Sequence, residues 1–155
     1  MANPVRKGLS NILKKEANDI VILSSLRTPI TRSYKGHLKD AYPEELLATV
    51  LAANPNLDPA LIQDVGVGVV LSELGGSKAG RMAMNHIGIP TTTSFYTVNR
   101  ACSSGLSAIT NVSHQIATGM IDIGIGAGME SMTRNYGSKA IPTVLWPELK
   151  ESEVK

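Results

Sequence analysis

The sequence predicts an α/β domain: a mainly parallel or mixed β-sheet with helices on both faces. Three observations predict it. Short continuous apolar runs alternate with stretches of helical periodicity, which implies crossover units. Hydrophobic residues make up 43% of the 155 residues and charged residues 18%, enough for one domain with a real core. Aromatics are only 4%, so that core falls to Val, Ile, Leu, Ala and Met. The fourteen glycines lie among apolar residues, which points to close backbone approach rather than disorder.

Residues 1–18 read as a flexible N-terminal or targeting segment. Arg6, Lys7, Lys14 and Lys15 are basic, and Leu9, Ile12 and Leu13 recur at helical spacing. That pattern fits an amphipathic targeting segment and equally a solvated, frayed end. Ile20-Val21-Ile22-Leu23 predicts a strand buried on both faces, ended by Thr28-Pro29. Thr31 to Asp40 is polar and reads as a loop. Pro43 opens a helix with Leu46, Leu47, Val50 and Leu51 inward, closed by Asn54-Pro55. Asp58-Pro59 predicts a second start, with Leu61, Ile62 and Val65 continuing inward.

Val65 to Leu71 predicts another buried strand, and its two glycines predict something packed close against it. Gly75-Gly76 is a turn. Ser77 to His86 predicts a helix, with Met82 and Met84 available for packing and Gly88 and Pro90 as stops. Phe95 to Val98 is strand-like. Leu106, Ile109, Val112, Ile116 and Met120 predict one face of a long helix ended by Gly119. Ile121 to Gly126 predicts the next strand. From Thr133 onward the order weakens, with Pro142, Pro147 and the charged Glu148 to Lys155.

A net charge of +2, with no Lys/Arg stripe among aromatics, argues for no nucleic-acid partner. No apolar run is long enough to span a bilayer, so no membrane partner is expected. A single cysteine excludes an internal disulfide framework and a Cys-rich zinc site, and no metal is expected. It fits a compartment where one thiol stays free.

That cysteine, Cys102, lies in Val98-Asn99-Arg100-Ala101-Cys102-Ser103-Ser104-Gly105-Leu106, where a β-like run ends and an amphipathic helix opens. A thiol there faces free backbone N–H groups and the positive end of the helix dipole, a setting that favours the thiolate. A nucleophile also needs access and an oxyanion stabiliser. Ser103, Ser104 and Gly105 are small enough to admit an acyl substrate, and Leu106 onward is expected to anchor the turn by core packing. A small core cysteine is the alternative reading of the spacing alone.

The stretch Val98 to Ile109 resembles, position by position, the nucleophile signature of the thiolase family. Leu26-Arg27-Thr28-Pro29-Ile30 is similar to the loop after the family's first strand, and Tyr34-Lys35-Gly36 is similar to the segment next to that loop. The Arg81 region through Gly88-Ile89-Pro90 is similar to the helix before the nucleophile strand. Gly124 to Thr133, with Gly128-Met129-Glu130-Ser131-Met132, is similar to the strand and loop after the nucleophile helix. Asn135-Tyr136 is more similar to the fungal or peroxisomal 3-ketoacyl-CoA branch. The resemblance implies the N-terminal half of the thiolase fold over 19–133, with 134–155 starting a truncated loop region.

It further implies an acetyl-CoA C-acyltransferase of fatty acid β-oxidation. Cys102 attacks the keto carbon of a 3-ketoacyl-CoA, acetyl-CoA leaves, and free coenzyme A takes the shortened acyl group. Its own N–H contributes to an oxyanion hole. Coenzyme A is then substrate, with no bound cofactor. The partners are acyl-CoA and a second copy in a homodimer, or a second thiolase half.

The family also uses a His in Gly-His-Pro, an Asn-Glu-Ala-Phe motif and a second Cys in Cys-x-Gly, none of which occurs here. His37, His86 and His114 stand in other contexts. The resemblance therefore implies a truncated chain, inactive alone and exposing an apolar face and sheet edges. The alternative is a non-catalytic thiolase-like half that binds another thiolase chain; a condensing enzyme of the ketosynthase kind is a weaker one. A peroxisomal location is expected, with mitochondrial or cytoplasmic placement as alternatives.

Overall fold

The computed structural model describes residues 8, 13–53, 57–136 and 146–147. Three five-residue strands form a parallel sheet: β1 (Asp64–Gly68), β2 (Ser94–Val98) and β3 (Gly124–Gly128), in the order β2-β1-β3. The register is flush, with Asp64 opposite Ser94 and Gly124, and Gly68 opposite Val98 and Gly128. The helices are α1 (Pro43–Ala52), α2 (Ser77–His86), α3 (Ser104–Ala117) and the four-residue α4 (Met132–Asn135). The β1-α2-β2 connection runs one way across the sheet and β2-α3-β3 runs back. Right-handed crossovers therefore place α2 and α3 on opposite faces.

The period-two alternation of the strands gives those faces different chemistry. Val65 and Val67 of β1 are fully buried, and with Val69, Leu47, Ile62, Met84, Ile89 and Met129 they form the core. Phe95, Ile125 and Ala127 pack against that core, on the side covered by α2 and by α1, which contacts α2. The opposite face carries Gly66, Gly68, Gly124, Gly126 and Gly128 and meets α3. A Cβ at Gly68 would lie 2.3 Å from the Gly105 nitrogen, and one at Gly126 would lie 2.6 Å from the Cα of Ile109. A Cβ at Gly66 would instead strike the Tyr96 ring, 2.4 Å from its hydroxyl oxygen. The expectation of something packed close on the glycine strand is thus met by a helix backbone and an aromatic ring.

Local sequence explains the element ends. Pro43 fills the first turn of α1, and the Glu45 carboxylate accepts from the Tyr42 N–H at 3.2 Å. Arg81 of α2 donates to the carbonyls of Thr93 and Thr91, fixing the entry to β2. The Thr93 hydroxyl donates to the Ile62 carbonyl at 2.8 Å. Asp64, buried at the start of β1, accepts from Ser94 Oγ and Gln115 Nε2, both at 2.8 Å, so the sheet is tied to α3 by a satisfied carboxylate.

Three expectations fail in detail. Ile20-Val21-Ile22-Leu23 is not a strand: it lines the cleft that β3 borders, with no strand partner among the described residues. Ile22 is 79% exposed. Its composition suits a buried strand, but no neighbouring strand supplies ladder hydrogen bonds there. Asp58-Pro59 opens only a 3₁₀ turn, Pro59–Leu61, because the chain must reach Asp64 extended. Finally, β3 starts at Gly124 rather than Ile121, since the N–H groups of Asp122 and Ile123 donate to Gln63 Oε1 instead of a strand.

Two outcomes follow from the glycine face. Gly68→Ala should lose about 1–3 kcal/mol in urea unfolding through overpacking, whereas Gly105→Ala, whose Cβ meets nothing within 4 Å, should be neutral or stabilising. The Tyr96 hydroxyl is buried without a hydrogen-bond partner. Burial raises its pKa above the ordinary 10.0; Asn111, whose carboxamide approaches without closing a hydrogen bond, opposes this, and the Asp64 carboxylate adds to it. A raised folded-state pKa means its stability contribution is intact below the unfolded value and is lost as pH climbs through the folded one. Melting temperatures should therefore fall less steeply above about pH 10 in Tyr96→Phe than in the parent.

Candidate active site

Parallel strands deliver their C-terminal ends to one edge of the sheet, and the loops leaving them converge there. At that edge β2 ends at Val98 and α3 begins at Ser104, with Cys102 exposed between them. The turn is tight enough to force Ala101 to φ +47°, a left-handed conformation costly for a residue with a Cβ. Hydrogen bonds hold it there. The Ala101 N–H donates to Asn99 Oδ1 at 3.0 Å. The Ser104 hydroxyl accepts from the Arg100 N–H at 2.8 Å and donates to the Ala101 carbonyl at 2.6 Å. Ser104 is 3% exposed, so this clasp is shielded from water. Ser103 Oγ adds a bond to the Arg100 carbonyl at 2.9 Å.

The turn is anchored by these polar groups and not by Leu106, which is 67% exposed. Glycines on the facing strand let the first turn of α3 sit directly on β1, and small side chains there (Ser104, Ser107, Ala108) take the buried positions expected for large ones. Val112 is buried as expected, whereas Ile109 is half-exposed, and with Ile116 they border a cleft of about 1980 Å³ that also contains Cys102, Gly105, Leu71 and Glu130. Met120 is exposed, as is Met82 on α2; Met84 is buried.

The loops after β1 and β3 meet beside the cysteine turn. The Glu130 carboxylate accepts from the N–H groups of Val70 and Leu71, both at 3.0 Å, and Asn99 Nδ2 donates to the Val70 carbonyl at 3.3 Å. Asn99 and Glu130 lie within the motifs quoted from the sequence, but the sequence assigned them no role; an Asn two residues before a left-handed turn position was the available signal. The polar loop 31–40 also reaches this edge. The Tyr34 N–H donates to Thr133 Oγ1 at 3.0 Å, and Arg134 stacks 4.1 Å over the Tyr42 ring.

None of the three histidines lines the cleft with Cys102. His86 closes α2 and His114 lies in the last turn of α3, where a cation suits the helix dipole. Gly75-Gly76 is the expected turn into a helix: Leu74, Gly75 and Gly76 are all left-handed. Pro142 and Glu148 to Lys155 lie outside the described residues.

The arrangement presents a sulfur on a strained strand-to-helix turn, at the mouth of a cleft with apolar walls. The chain is similar to known proteins over most of its length. The model of the thiolase N-terminal domain matches residues 20–152. The peroxisomal 3-ketoacyl-CoA thiolase 2 of Arabidopsis thaliana is 48% identical over 123 residues, 76% of this chain and 26% of that protein. The peroxisomal 3-ketoacyl-CoA thiolase of Yarrowia lipolytica is 44% identical over 142 residues, 90% of this chain and 34% of that protein. The dimeric peroxisomal thiolase of Saccharomyces cerevisiae superposes with a TM-score of 0.81 at 34% identity, over 93% of this chain and 39% of that one. The Acat5 thiolase of Ascaris suum, solved with coenzyme A, gives 0.66 at 29% identity, over 79% and 32%. The chain thus spans about a quarter to a third of the length of these curated relatives.

The left-handed position is directly testable. Ala101→Val should lower stability by about 1–3 kcal/mol because a β-branched residue tolerates φ +47° poorly. Ala101→Gly should be neutral or better in the same thermal melt, since glycine enters that region without strain.

Proposed function

Because the chain belongs to the thiolase family, whose N-terminal domain it carries, we propose that it is the nucleophile-bearing half of an acetyl-CoA C-acyltransferase acting in β-oxidation. The observation that carries this reading is the exposed Cys102 on the strained turn between β2 and α3. The thiolate of Cys102 attacks the keto carbon of a 3-ketoacyl-CoA. The bond between the α and β carbons breaks, and its electron pair stays on the α carbon, which takes a proton and leaves as acetyl-CoA. The acyl group, held as a thioester on Sγ, passes to the sulfur of free coenzyme A, and Cys102 is regenerated. The N–H of Cys102 donates to the oxyanion formed on attack.

Coenzyme A is substrate here, a reading supported by the complex named for the Ascaris protein. The dimeric yeast neighbour supports a homodimer, and the relatives named as peroxisomal support that location. Activation of the thiol and proton transfer to the α carbon fall to groups in the part of the family fold that this sequence does not contain. General acid–base help of that kind is worth about two to four orders of magnitude per group. Multiple turnover by the chain alone is therefore not expected, although a single acylation is, slowed by the same missing groups and with solvent supplying the proton.

A second reading, a non-catalytic half that binds another thiolase chain, is favoured by the uncovered apolar segment Ile20–Leu23 and by the edge of β3, unpaired among the described residues. Acylation separates the two. Incubated with acetoacetyl-CoA, the chain should gain one acetyl group on Cys102 by intact-mass and peptide mapping, and Cys102→Ser should gain none at that position. A parent chain that stays unmodified while folded would overturn the catalytic reading in favour of the second.

A further inference from the structure

Glu130 is buried enough that its Oε1 has no hydrogen-bond partner among the described residues, while Oε2 takes two backbone N–H groups. A carboxylate set this way is costly unless the bonds it makes matter to the structure around it. Those bonds lead to the reactive turn. Glu130 fixes the N–H groups of Val70 and Leu71 where the chain leaves β1. The carbonyl of the same Val70 accepts from Asn99 Nδ2 at 3.3 Å, and Asn99 Oδ1 accepts from Ala101 N–H at 3.0 Å. Ala101 is the left-handed residue that precedes Cys102. Three loops, one from each strand, are thus joined in series: β3 through Glu130, β1 through Val70, and β2 through Asn99.

We propose that Glu130 is a positioning residue for Cys102, acting through Val70 and Asn99 to hold the cysteine turn in its strained conformation. The proposal rests on the reading of Cys102 as the nucleophile. Glu130 does not reach the reacting sulfur through any hydrogen bond; it sets where the sulfur stands. The Ser104 clasp holds the turn from the α3 side, and the Glu130–Asn99 series holds it from the sheet side. With the sheet side released, Ala101 is free to relax toward ordinary φ and to carry Cys102 away from the first turn of α3.

The test uses the folded chain and iodoacetamide, following alkylation of Cys102 by mass against pH. The parent should be alkylated at Cys102 while folded, at a rate that is the standard for the variants. Glu130→Ala should slow the folded rate by about tenfold, within the range lost when a sulfur leaves the N–H groups and dipole at a helix start. Glu130→Gln keeps an acceptor for both N–H groups and should stay within about threefold of the parent. Asn99→Ala should slow the reaction like Glu130→Ala, and the double variant should be no slower than either, because both break one series. A Glu130→Ala chain that does not fold leaves the decision to Asn99→Ala and Glu130→Gln. Additive effects of Asn99 and Glu130, Glu130→Gln as slow as Glu130→Ala, or Asn99→Ala at the parent rate would each overturn the proposal. A folded parent whose Cys102 stays unalkylated would instead sink the nucleophile reading beneath it.

Discussion

The cysteine turn depends on the direct seating of a helix backbone on a sheet backbone. Gly68, Gly124 and Gly126, on one face of the sheet, remove the side chains that would otherwise hold α3 away from it. The first turn of α3 drops onto β1 at Gly68, and its middle drops onto β3 at Gly126. The six residues from Val98 to Ser103 must then climb from the plane of β2 to a helix lying unusually close. The left-handed Ala101 is how the chain makes that climb, and the hydroxyl of Ser104 and the carboxamide of Asn99 keep it there.

The two faces of the sheet divide the work of the domain. The valine face, closed by α1 and α2, supplies burial: Val65, Val67, Val69 and Met84 are fully or almost fully buried, each stabilising by about 1.5–3 kcal/mol. The glycine face contributes little apolar area and much geometry. Its stability leans on polar ties such as Asp64 with Gln115 and Ser94. Such ties are directional, so they fix the position of α3 along the sheet more sharply than apolar packing would.

The α/β class was legible because it rests on period and alternation. The helix over Ser77–His86 and the strand ending at Val98 follow from residue type and from glycine or proline stops. The exposed place of Cys102 between a strand and a helix was legible because a single cysteine falls between a strand pattern and a helix pattern. What the sequence did not disclose was the means of support. Large apolar residues at helical spacing drew attention to Leu106, but a glycine-lined partner rewards small side chains, and Ser104 and Ala108 took the buried positions. Glu130 and Asn99 act across three loops, and contacts 29 to 60 residues apart leave no periodic trace. The Ile20–Leu23 run failed for another reason: apolar composition describes what a segment would bury, and its burial requires a neighbour to pair with.

The outer edge of β3 carries the last consequence. Gly124-Ile125-Gly126-Ala127-Gly128 offers a row of backbone groups with no charged or branched guard beside it except Ile125. A chain with this border uncovered presents the kind of surface that holding chaperones recognise, beside an apolar stretch open to proteases.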